Sequence, residues 1–231
     1  MPQSISKKKI YFYLLILLFL SSIFNFNIIS NFNKLNLIND VSIIGLNEKE
    51  KDKLEKKFKV LLNKNIFLIK KAETEELIKN NSFIDSYKIF KIFPSKLLVN
   101  IKKTEFVGIT FLNGKKFYIG KNGKLTEVSL VKKEDYLPQV FGNFKVNEFL
   151  KIQKILNSNG FKLNELKKYY YFKSNRWDIE NIENVILKLP SQDIEKSLKN
   201  YKSLYKTNKI TQGKIIDLRI KNKIIFTDAK R

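Results

Sequence analysis

The chain has 231 residues, with 45 Lys and Arg against 22 Asp and Glu, a formal net charge of +23. It contains no cysteine and no histidine, which excludes disulfide staples, thiolate nucleophiles, imidazole bases and the usual zinc ligands. The only arginines are Arg176, Arg219 and Arg231, while lysines are scattered throughout; the charge reads as a compositional bias, and no nucleic-acid partner is expected.

Residues 1–9 end in Lys7, Lys8 and Lys9. The run Ile10 to Ile29, IYFYLLILLFLSSIFNFNII, follows directly. It is the only stretch apolar and long enough, at about 20 residues, to cross a bilayer. We therefore expect a transmembrane helix over 10–30. Lys34 is the only basic residue in the first dozen positions after the run, so the positive-inside tendency places residues 1–9 in the cytoplasm and the body outside. Ile10 to Leu20 also has the length of a signal-peptide core, but no A-x-A-like cleavage site follows it, which favours an uncleaved anchor.

Asn31 to Asn36 reads as a polar linker. Leu37 to Ile44 predicts a strand ending at Gly45. Glu48 to Leu62 has Leu54, Phe58, Leu61 and Leu62 at helical spacing, and Lys71 to Asn80 predicts a second helix with Glu73, Glu75 and Glu76 near its positive end. Ile84 to Ile92 and Leu97 to Ile101 predict two strands separated by Phe93-Pro94-Ser95. The expected first unit is strand, helix, helix, strand, strand over 37–104.

A second unit is expected over 105–231. Phe106 to Leu112 and Lys115 to Ile119 flank Asn113-Gly114, a two-residue hairpin signal. Leu137 to Gly142 reads as an irregular apolar corner. Asn147 to Ser158 is helical by spacing. Leu163 to Phe172, Arg176 to Ile179 and Val185 to Leu189 read as strands. Pro190-Ser191 opens a helix with Ile194, Leu198, Tyr201 and Tyr205 inward. Lys214 to Ile220 and Lys223 to Thr227 form a last hairpin around Lys221-Asn222. The fold class is α+β: an N-terminal transmembrane helix, a β-α-α-β-β unit, then a mostly antiparallel β domain with two packed helices.

Residues capable of chemistry are few. Asp178, Glu180 and Glu183 could suggest a carboxylate pair, but a solvated turn accounts for them better. Tyr169 to Phe172 could stack on bases or sugars; alternation between core and surface is the simpler reading. Trp177 reads as a packing residue. Asp217 and Arg219 read as a local ion pair or turn brace. No catalytic residue, metal ligand, cofactor site or small-molecule substrate is expected.

Several short motifs occur in order. Val41 to Leu46 resembles a V-x-V-x-G strand, and Phe93-Pro94-Ser95-Lys96-Leu97 an F-P-x-x-L step. Glu105-Phe106-Val107-Gly108 is similar to E-P-V-A, with Phe106 in place of Pro. Tyr118 to Gly123 resembles an apolar pair followed by D-x-x-G. Leu137 to Gly142 resembles L-P-x-L-x-G. Trp177-Asp178-Ile179 with Val185 to Pro190 is similar to W-x-I/L and an apolar strand, and Ile216 to Arg219 to V/I-D-L/M-R. Together they resemble the FtsQ/DivIB family of bacterial cell-division proteins, with 37–104 as the POTRA domain and 105–231 as the β domain.

The resemblance implies a non-catalytic, bitopic inner-membrane scaffold acting at the division septum. Its partners would be FtsB and FtsL, received in the periplasm on a C-terminal edge strand. Carried over residue by residue, the contact falls on Ile220, Lys223, Ile224, Ile225, Phe226, Thr227 and Asp228, with Arg219 nearby. Leu37 to Ile44 is a second candidate edge. Two rivals come from other classes. A membrane-anchored cell-wall enzyme would need a nucleophile motif such as G-x-S-x-G, which does not occur. A POTRA-bearing outer-membrane assembly factor would need a long C-terminal barrel.

Overall fold

The computed structural model describes residues 7–23, 36–131, 136–205 and 214–228. Helix α1 spans Lys7–Ile23. Its large apolar side chains from Ile10 to Leu20 are all exposed. Among the described residues no helix is long and apolar enough to cross a membrane. The seven residues 24–30 of the expected span lie outside the described residues, as do residues 31–35 of the expected linker.

The chain forms two compact units. The first comprises Met1–Ile44, Lys51–Lys79 and Lys88–Asn100; the second comprises Gly45–Glu50, Asn80–Tyr87 and Ile101–Arg231. The early elements are β1 (Asp40–Ile44), α2 (Glu48–Phe58), α3 (Lys71–Lys79), β2 (Ile84–Ile92) and β3 (Lys96–Lys103). Their sheet has the order β1-β3-β2. β1 lies parallel to β3, with Val41 opposite Leu97 and Ile43 opposite Val99. Leu97, Val99 and Ile101 are buried while Lys96, Asn100 and Lys102 are exposed, the period-2 pattern of a half-buried strand. β1 is shorter than expected: Leu37 makes only an isolated bridge to Asn65. Asn47 caps α2 by accepting the Glu50 N–H at 3.1 Å on its side-chain oxygen. Gly45 has φ +92°, and a Cβ there would lie 1.8 Å from the Ile101 carbonyl oxygen, so the glycine of the V-x-V-x-G-like motif is sterically required.

The remaining elements are β4 (Phe106–Leu112), β5 (Lys115–Gly120), β6 (Leu125–Glu127), β7 (Gln139–Phe141), α4 (Val146–Ser158), β8 (Leu166–Phe172), β9 (Arg176–Asn181), β10 (Ile186–Lys188), α5 (Ile194–Tyr205), β11 (Lys214–Asp217) and β12 (Ile225–Asp228). They build one nine-stranded sheet ordered β12-β11-β10-β9-β8-β7-β4-β5-β6. Five of the strand pairs are antiparallel and three are parallel. The apolar corner at Leu137 to Gly142 thus holds an interior strand, β7, parallel to both neighbours. Parallel neighbours need a long crossover connection. α4 supplies it between β7 and β8, and α5 between β10 and β11. α5 starts at Ile194, later than Pro190-Ser191 suggests, because Asp193 adopts φ +55°.

Phe149, Ile152 and Leu156 of α4 and Leu198 and Tyr201 of α5 enter a single core with strand residues from β4 to β11. Trp177 is buried there, with its ring 4.8 Å from Tyr171 and 5.7 Å from Phe144.

Candidate functional site

β12 is the terminal strand of the nine-stranded sheet and pairs only with β11 among the described residues. The register carries rows of side chains straight across the sheet to this edge. On the core side one row runs Val140, Tyr169, Ile179, Leu187, Ile216, Phe226. The first five are buried, whereas Phe226 is 49% exposed. The row therefore breaks off with one large ring uncovered. On the opposite side the row Phe141, Tyr170, Asp178, Lys188, Asp217 ends at Ile225, 42% exposed. An edge of this kind offers unpaired N–H and C=O groups and apolar side chains on both faces.

Of the eight residues singled out from the sequence, only Ile225, Phe226, Thr227 and Asp228 lie on the strand. Arg219, Ile220, Lys223 and Ile224 fall in the loop between β11 and β12, which is longer than the expected turn. Its bend is closed by the Lys223 N–H donating to the Ile220 carbonyl at 3.1 Å, with Asn222 at φ +61°. Ile224 packs partly into the core, while Ile220 is exposed. A cleft of about 300 Å³ opens here between Ser197, Asn200 and Ser203 of α5 and Leu218, Ile220 and Ile224 of the loop. Ser197, Asn200 and Ser203 were not singled out beforehand; their spacing marks the polar face of an amphipathic helix and nothing more specific.

Arg219 is tied down. Its guanidinium Nε donates to Asp217 Oδ1 and Oδ2 at 2.8 and 2.9 Å, its NH2 group donates to Oδ2, and its backbone N–H donates to Oδ1 at 3.0 Å. This is the turn brace expected of the pair. The hydrogen bonds from Arg219 hold the Asp217 carboxyl below the usual carboxylate range, and Asp217 raises the guanidinium in return.

Asp178 and Glu180 overturn the solvated-turn reading. Both sit within β9 and are buried. Burial pushes the Asp178 carboxyl up, opposed by Arg176 with its Nε at 3.5 Å and by Lys188 and Arg219. Glu180 bonds the Tyr170 hydroxyl at 3.3 Å and pairs with Lys167 and Lys168, each at 3.3 Å. Lys167, Lys168 and Tyr170 lie on β8, so the Glu180 contacts run across strands. Glu183 remains exposed in the following turn. Among the described residues, no three of His, Cys, Asp or Glu are grouped to hold a metal.

β1, the other candidate edge, ends the three-stranded sheet, but only over Asp40–Ile44.

Two family models match this chain. Residues 36–103 match the POTRA domain of FtsQ type, and residues 111–219 match the C-terminal domain of cell division protein FtsQ/DivIB. Among curated proteins, the cell division protein FtsQ of Rickettsia bellii is 25% identical over 167 residues, 69% of this chain and 60% of the relative. Those of Rickettsia conorii and Rickettsia felis are 24% and 26% identical, each over 68% of this chain and 60% of the relative. The aligned stretch thus spans about three fifths of those relatives' length. Among solved structures, the major extracytoplasmic domain of the cell division protein DivIB from Geobacillus stearothermophilus is 12% identical with a TM-score of 0.34, covering 45% of this chain and 92% of that one.

Proposed function

We propose that this chain, which belongs to the FtsQ/DivIB family of bacterial cell-division proteins, is a component of the division machinery and a non-catalytic scaffold that captures another polypeptide by strand addition along β12. One observation carries this reading: two side-chain rows of a nine-stranded sheet end uncovered at Phe226 and Ile225. An added strand would satisfy the outer backbone groups of β12 and extend both rows. Family resemblance supplies FtsB as the incoming chain, accompanied by FtsL. The cleft beside Ile220 and α5 offers room for residues flanking that strand.

The same reading makes the N-terminal segment a single inner-membrane anchor, with the amino terminus cytoplasmic and the body periplasmic at the septum. It is supported by the apolar sequence Ile10 to Ile29 and by α1, whose large apolar side chains from Ile10 to Leu20 lie exposed on all sides. A helix apolar all round belongs in a core or a bilayer.

Proline substitution tests the edge. Along an antiparallel strand, successive N–H groups alternate between inner and outer sides. Ile225→Pro and Phe226→Pro therefore delete one inward and one outward donor between them. The outward deletion should abolish FtsB capture in a pull-down while leaving the thermal melt unchanged; the inward one should lower the melt. Retention of FtsB at wild-type strength by both variants would refute strand addition at β12.

A further inference from the structure

Within the first unit, three large side chains are exposed at one end. Phe67 and Leu68 are 59% and 75% exposed, Phe93 is 56% exposed, and the rings of Phe67 and Phe93 stack 4.8 Å apart. The backbone holds them in place. The Phe67 N–H donates to Asn65 Oδ1 at 2.9 Å, and the Leu68 N–H to the Asn65 carbonyl at 3.0 Å. The chain enters the unit at this same end. The Asn36 carbonyl accepts the Ile66 N–H at 2.9 Å, the Ile38 N–H donates to the Lys64 carbonyl at 2.9 Å, and the Asn39 N–H donates to the Ser95 carbonyl at 3.0 Å. Asn36 to Asn39 thus lie against both segments that carry the exposed cluster.

Twelve residues, 24–35, separate the end of α1 at Ile23 from Asn36. Fully extended, they reach about 40 Å. A bilayer holding α1 is therefore always within reach of this end, and the tether keeps its local concentration high. Lysines surround the cluster. Lys64 and Lys70 flank it in the chain, Lys64 also pairing with Glu73 at 3.3 Å across a half-exposed surface, and the Lys91 ammonium donates to the Ile69 carbonyl at 2.9 Å. Exposed aromatic and aliphatic side chains ringed by lysines match the interfacial zone of an anionic membrane.

We propose that this rim, built from Phe67, Leu68 and Phe93 with Lys64, Lys70 and Lys91, seats in the headgroup layer of an anionic bilayer. The contact rests on α1 being the membrane anchor. It adds a lipid-facing role for the first unit, separate from β12.

Because the chain has no cysteine, single labels can be placed at will. The full chain is reconstituted into vesicles of phosphatidylcholine with or without phosphatidylglycerol, carrying an environment-sensitive fluorophore on Leu68→Cys or, in α1, on Leu15→Cys. Both positions are well exposed, so neither change threatens folding. Lipid-borne nitroxides should quench both labels. In the anionic vesicles, the neutral quencher acrylamide in the buffer should quench the Leu68→Cys label about threefold less than in the neutral ones. Lipid quenching at Leu15→Cys with none at Leu68→Cys would overturn the rim contact and leave the anchor standing. Absence of lipid quenching at both would overturn the anchor, and the rim contact with it. Equal acrylamide quenching in both vesicles would overturn the role given to the lysines.

Discussion

Asp178 and Asp217 stand in one row of the sheet with Lys188 between them, yet their environments drive them apart. Burial raises Asp178, while hydrogen bonds from Arg219 lower Asp217. The linkage signs follow. As pH climbs past the ordinary value of 3.8, Asp178 ionises first in the unfolded chain, so its contribution to stability falls as pH rises toward its folded value. Asp217 stabilises above 3.8, and that contribution is lost as pH drops through its lowered folded value. Urea unfolding across acid pH should show this. Asp178→Asn should remove a decline on the rising side and Asp217→Asn a decline on the falling side. The brace between Asp217 and Arg219 was legible from their spacing alone. The burial of Asp178 and Glu180 was not, because Lys167, Lys168 and Tyr170 on β8 and Lys188 on β10, which accommodate them, come from neighbouring strands. Only pairing reveals those neighbours.

Elements with long periodic patterns are readable from the chain. β2 runs Ile84–Ile92 and β4 Phe106–Leu112, both over the expected bounds. α4 starts one residue from its expected position. The three-residue strands are different: β6 has no expected counterpart, and β7 reads from the sequence as a corner. Three residues cannot display an alternation, and β7 owes its existence to partners on both flanks. The glycine after it has a definite cause. Gly142 holds φ +106°, and a Cβ there would stand 2.3 Å from the Tyr171 carbonyl oxygen. Gly142→Ala should therefore destabilise the chain by about 1–3 kcal/mol in a denaturation experiment. A shift under a few tenths would show that the backbone relaxes without cost. The β11–β12 connection differs from the expected tight hairpin for a similar reason. The Asp217–Arg219 brace and the Leu218 N–H bond to the Lys188 carbonyl, 2.9 Å, hold the chain end of β11 before the bend begins.

At the scale of the molecule, α4 and α5 close one core against a continuous sheet, and β12 terminates that sheet. Core and edge are consequences of one register: the row that buries Val140, Tyr169, Ile179, Leu187 and Ile216 is the row that leaves Phe226 uncovered. The α+β class and the order of the larger elements follow from hydrophobic pattern, whereas the nine-strand continuity depends on three parallel pairings, two joined by crossover helices and β4–β7 through the segment that carries β5 and β6. Amide hydrogen exchange on the full chain, alone and in complex with FtsB and FtsL, tests the scaffold reading most directly. We predict that complex formation slows exchange at alternate amides within Ile225–Asp228, while β6, the opposite edge of the sheet, keeps its rate. A complex that forms with exchange along β12 unchanged would contradict capture at this edge.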